Sequence, residues 1–137
     1  MKTARIMAAA ALLAVGPFGV HAGERLAADV HCKPAGGKLV YDCMIMLKGK
    51  KTGAPVTGAT ITVKADMPSM PMAHNVKPVE GKPAGMPGAY NARLELTMHG
   101  EWALTLDVSG PARDRIIKKL QFGEMVGHGK MEMKQKK

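Results

Sequence analysis

Aromatic residues are scarce in this chain: one Trp, two Tyr and two Phe among 137 residues. Binding single-stranded nucleic acid calls for aromatic faces interleaved with arginine, on which bases stack. That pattern is missing, so the basic balance of 20 Lys and Arg against 11 Asp and Glu does not point to nucleic acid. The lysines are scattered along the chain and massed at its end (Lys130, Lys134, Lys136 and Lys137). They read as a solvated face, with weak attraction to an anionic membrane surface as the alternative. Carboxylates do not cluster, and Asp66 stands alone in mid-chain, so nothing marks a site for a hard ion such as Ca²⁺ or Mg²⁺. Enzyme signatures are absent too. There is no Ser/His/Asp order, no G-x-S-x-G elbow and no Gly-rich phosphate loop. The expectation is a protein that is not an enzyme.

Long apolar runs are also lacking, apart from one near the start. Lys2 and Arg5 precede an apolar stretch from Ile6 to Val15; Gly16 and Pro17 break it, and Val20-His21-Ala22 has the small-x-small form of a cleavage site. Residues 1–22 therefore read as a cleaved secretory signal peptide and predict export to a bacterial periplasm. The run is too short to span a bilayer and no second one follows, so no stable membrane insertion is expected after cleavage.

In an oxidising compartment the two cysteines, Cys32 and Cys43, form a disulfide by default. Ala35-Gly36-Gly37-Lys38 is a turn signal, and a hairpin centred between Gly37 and Lys38 sets the two cysteines opposite each other. The alternative, a thiolate metal site, requires reduced cysteines. His31, beside Cys32, reads as structural.

Beyond residue 23 the chain alternates apolar and polar residues between glycine and proline punctuation, and no amphipathic helix is visible. Strand candidates are Leu26–Cys32, Leu39–Leu47, Ala59–Ala65, Tyr90–Met98, Trp102–Val108 and Arg115–Phe122. Lys77 to Gly88 reads as a loop. Six or seven short strands with turn signals about every ten residues predict an all-β fold, an immunoglobulin-like antiparallel β-sandwich over residues 23–122. Residues 123–137, rich in Met, His and Lys, read as a flexible tail.

Methionine is abundant where aromatics are not, with twelve in the chain. Core filling by a flexible thioether explains Met98 and one of Met44 and Met46. It does not explain Met67, Met70 and Met72, which lie among prolines in Met67-Pro68-Ser69-Met70-Pro71-Met72-Ala73-His74. In an extended segment, side chains two apart share a face, so Met70, Met72 and His74 would project together. Thioethers and imidazole suit Cu(I) or Ag(I), suit Zn²⁺ poorly and do not suit hard ions. The candidate metal ligands are thus Met70, Met72 and His74, with Met67 or the Met98-His99 pair completing the site. Met86 lies in the Pro-rich loop, and Met125, His128, Met131 and Met133 repeat the theme in the tail.

Three ordered motifs then carry a resemblance: Asp66-Met67-Pro68-Ser69-Met70-Pro71-Met72-Ala73-His74, Pro87-Gly88-Ala89-Tyr90 and Met98-His99-Gly100-Glu101-Trp102. Over about residues 55–110 the chain resembles the YtkA-like/FixH-like domain. The resemblance implies an exported or membrane-tethered β-sandwich linked to copper handling, near heme-copper oxidase assembly or metal efflux, with Met67, Met70, Met72 and His74 as ligands. FixH-type proteins keep a membrane anchor, whereas this chain reads as cleaved. The cysteine pair and the tail are additions to the family pattern. Two functions are therefore expected as rivals. One is a soluble periplasmic Cu(I) carrier, scavenger or metallochaperone, with a protein partner in copper transfer. The other is a metal-free accessory module of an efflux or oxidase-assembly system.

Overall fold

A computed structural model describes residues 23–71 and 76–123. The signal-like segment 1–22, the tail beyond Gly123, and Met72 and His74 lie outside the described residues. The described chain forms seven antiparallel strands: β1 (Leu26–Pro34), β2 (Val40–Gly49), β3 (Thr60–Asp66), β4 (Val79–Pro83), β5 (Ala89–Glu95), β6 (Gly100–Ser109) and β7 (Asp114–Phe122). Their order is β1-β2-β5-β4-β3-β6-β7. Folded into two layers, β1-β2-β5-β4 against β3-β6-β7, this is the strand order of a constant-type immunoglobulin sandwich. Among the described residues no helix is long and apolar enough to cross a membrane.

Alternation builds the core. On β2, Tyr41, Cys43, Ile45 and Leu47 point inward; Ile61 and Val63 do so on β3, Ala92 and Leu94 on β5, and Trp102, Leu104, Leu106 and Val108 on β6. Burying these side chains supplies most of the driving force. The β1–β2 register places Cys32 opposite Cys43, and the two are joined by a disulfide, as the hairpin centre required.

The expected loop from Lys77 to Gly88 contains β4. Gly81 and Pro83 hide it from a reading by propensity, yet each has a use. Gly81 is buried, and a Cβ there would lie 3.3 Å from the Cβ of Ile61 on β3. The strand is a short hinge between layers. Residues 79–81 pair with β3, and Lys82 and Pro83 pair with Asn91 and Tyr90 of β5.

Tyr90 secures the chain between β2 and β3. Its hydroxyl donates to the Val56 carbonyl at 2.8 Å and accepts from the Ala59 amide at 3.1 Å, both in the interior. Tyr90→Phe leaves both backbone groups without that partner. The expected loss is about 1–3 kcal/mol, measurable as a lower midpoint in chemical unfolding with an unchanged slope; an unchanged midpoint would contradict this role.

The two edges left by the strand order, β1 and β7, lie side by side. Asp114 clasps them: its Oδ2 accepts from the Leu26 amide at 2.9 Å and from Arg25 Nε at 3.1 Å. Burial works against the Asp114 charge, but the Leu26 and Arg115 amides and the Arg25 guanidinium outweigh it and hold the carboxyl below its ordinary value. Asp107 is held low by hydrogen bonds from Lys64 and Arg115. A carboxyl depressed in the folded state contributes stability in full above its unfolded value near 3.8. That contribution is lost as pH falls from there through the depressed folded value. Melting temperatures followed downward from about pH 5 should therefore drop below the ordinary carboxylate range. The drop should be shallower in Asp107→Asn, and parallel curves for the two proteins would refute the assignment.

Candidate functional site

One end of the sandwich collects most of the residues singled out by the sequence. There β3 ends and β6 begins, since Asp66 pairs with Ala103, and β5 ends opposite the start of β2, since Glu95 pairs with Val40. The connections at this end are the β1–β2 turn, residues 67–78 and residues 96–99. Two contacts set their positions. The Leu96 amide donates to the Leu39 carbonyl at 2.9 Å, with Leu39 in the left-handed region at φ 63°, a conformation rare for a bulky side chain. Trp102, with no exposed surface, donates from its indole Nε1 to the Met98 carbonyl at 3.2 Å. A large buried ring thus anchors the loop that carries Met98 and His99.

The segment after β3 does not run extended through Met70. The Met70 amide donates to the Met67 carbonyl at 3.1 Å, closing a turn with Pro68 and Ser69 at its centre. Proline presets the backbone for the second position of such a turn. The turn separates the fates of two methionines. Met67 continues the inward phase of Ile61, Val63 and Ala65 and is a core residue, 5% exposed. This corrects the expectation that packing could not explain it. Its methyl carbon lies against Gly100, where an added Cβ would sit 2.8 Å away. Met70 emerges from the turn 39% exposed.

Met98 is half-buried against the core, as expected of a filler, and His99 is exposed. The His99 ring covers Gly123 at the end of β7, where a Cβ would meet ring carbons at 2.5 Å. The end therefore brings together Met67, Met70, Met98 and His99. It also holds both anchor points of the stretch that contains Met72 and His74, which are themselves outside the described residues. Met86 belongs to the β4–β5 turn at the opposite end, where the Ala89 amide donates to its carbonyl at 3.1 Å. Among the described residues no three His, Cys, Asp or Glu side chains gather into a group able to hold a metal ion. The donors at the site end are thioethers and an imidazole, a set whose softness matches Cu(I) or Ag(I).

Two further methionines are placed differently from expectation. Neither Met44 nor Met46 fills the core. Both occupy outward positions on β2, with Met44 39% exposed. His31 is exposed on β1 rather than packed. The inward phase of Tyr41, Cys43, Ile45 and Leu47 already implies the outward phase of the residues between them.

The fold and this end define an all-β, immunoglobulin-like sandwich with a soft donor set at one rim. Residues 42–107 match the YtkA-like family. The match begins within β2, earlier than the motifs alone suggested, and ends at Asp107. No curated protein and no solved structure matches the chain.

Proposed function

We propose that this is an exported Cu(I)-binding protein, a carrier or scavenger that works from the periplasm and is not an enzyme. Met70, Met72 and His74 hold the ion, with Met98 or His99 completing the set, while Met67 belongs to the core. The observation that carries this reading is Met70. It is a large apolar side chain standing in solvent at the end that also presents His99, just past the turn that follows the buried Met67. A thioether binds without losing a proton, so the pH dependence of uptake falls on imidazole. An exposed rim suits exchange of the ion with a partner protein of a copper-transfer, efflux or oxidase-assembly system. Anaerobic titration with Cu(I) against a competing chelator is the test. Stoichiometric uptake that depends on Met70, Met72 and His74 is expected. Uptake that ignores all three would remove the proposal and leave the metal-free accessory module as the better account.

A further inference from the structure

A second soft-donor cluster lies away from the rim, on the outer face of the β1-β2-β5-β4 layer. The register sets His31 directly opposite Met44, and Asp29 opposite Met46. On the other side of β2, Met44 faces Asn91. Residues directly opposite on antiparallel strands have Cβ atoms about 4.5–5.5 Å apart, and diagonal neighbours lie within reach of long side chains. The His31 imidazole and the thioethers of Met44 and Met46 therefore occupy one patch of the sheet.

Their surroundings are otherwise those of a solvated face. Asp42 is paired with Arg93 at 2.8 Å, and Asp29 with Lys48 at 3.0 Å. These pairs engage the flanking carboxylates, and the soft donors beside them are the imidazole and the two sulfurs. A depression of about 570 Å³ opens beside His31 and Met44, lined also by Cys32, Lys33, Asn91 and the Asp42–Arg93 pair, with Met46 just outside it. Two methionines at outward strand positions contribute nothing to the core, and a polar face gains nothing in solubility from them.

We infer that His31, Met44 and Met46 form a second binding site for a soft monovalent ion, Cu(I) or Ag(I), on the outer face of the sheet. The imidazole and the Met44 sulfur, facing each other across one strand pair, supply the two principal donors. Met46, diagonal to His31, supplies the third. The rigid ladder beneath, fastened by the Cys32–Cys43 disulfide at the next position, holds the donors without a loop closing over them. The site is separate from the rim and does not depend on the rim's binding an ion.

Silver(I) tests it without redox chemistry. The chain carrying ¹³C-methyl methionine is titrated with silver nitrate in chloride-free buffer and followed by NMR. The Met44 and Met46 methyl signals should shift and saturate within the first two equivalents. In His31→Ala, silver binding read from these two methyls should weaken by about tenfold or more. Met44→Leu, which keeps volume on an exposed strand, should abolish the Met46 shift. In both variants the Met70 and Met72 methyls, reporting the rim, should titrate as in the parent chain. Met44 and Met46 signals that stay still through two equivalents, or that shift equally in His31→Ala, would overturn the outer-face site whatever the rim signals do. Rim signals that stay still while Met44 and Met46 shift would instead overturn the rim.

Discussion

Replacing Met70, Met72 and His74 together by Leu, Leu and Ala is expected to remove the rim's Cu(I) uptake, weakening it on the order of 100-fold or more. The melting temperature should stay nearly constant. Both halves of this expectation have a structural basis. Met70 is exposed beyond the Pro68-Ser69 turn, so leucine there costs little packing. The turn itself is made by Pro68 and by backbone groups that the substitutions leave intact. Removing two sulfurs and an imidazole leaves Met98 and His99, too few soft donors for a stable site. Met67→Leu is the contrasting variant. It alters a core position and should lower stability by under about 1.5 kcal/mol, the usual cost of a volume-conserving apolar swap, while leaving uptake close to the parent value. A chelator competition assay under anaerobic conditions, run beside thermal unfolding, separates the two effects. Loss of uptake in Met67→Leu alone would return Met67 to the ligand set.

The largest expected loss of stability comes from a glycine in one of the family-like motifs. Gly88 has φ +77°, and a Cβ there would lie 2.7 Å from the Leu47 carbonyl oxygen and 2.8 Å from Pro55 Cβ. The Gly88 carbonyl also accepts from the Leu47 amide at 2.7 Å, so the turn cannot back away without breaking a bond to β2. Gly88→Ala therefore adds a backbone clash to the roughly 1–2 kcal/mol cost of the left-handed region. The clash costs about 1–3 kcal/mol more, the range typical of overpacking. Gly85, in the same turn, has φ +80° but nothing within 4 Å of its would-be Cβ. Gly85→Ala should pay only the first cost. With about 4–8 °C per kcal/mol for a domain of this size, the two variants should melt at least about 4 °C apart, Gly88→Ala the lower. Equal melting temperatures would mean that close approach to β2 is not what Gly88 provides.

That glycine shows what the motifs encode. Pro87-Gly88-Ala89-Tyr90 is a folding element: Gly88 lets β5 approach β2, and Tyr90 ties the β2–β3 connection. In Met98-His99-Gly100-Glu101-Trp102, Trp102 anchors a loop and Gly100 makes room for Met67. Among the described soft donors of these motifs, Met70 and His99 are the exposed ones. The strands themselves were legible because alternation survives in β2, β3, β5 and β6, and the disulfide followed from a turn centre. β4 was not legible, because a strand of five residues with Gly81 and Pro83 has no propensity signal and exists by tertiary pairing. Met67 was misread because a following proline looked like the end of the strand phase, when it is only the second position of a turn. The outward placement of Met44 and Met46 was available from the β2 phase. Their nearness to His31 was available from the hairpin centre that paired the cysteines.

The Asp114 clasp bears on how molecules of this protein meet one another. A sheet with two open edges offers two rows of free amides and carbonyls to any passing strand, which is how β-proteins begin to self-associate. Here those rows belong to β1 and β7, and the chain turns them toward each other. Acid removes the charge that holds Asp114 to the Leu26 amide and Arg25, so the same proton that weakens the fold also uncovers its adhesive edges. Aggregation on acidification should therefore begin at this junction, well before the disulfide-pinned hairpin or the core around Trp102 comes apart.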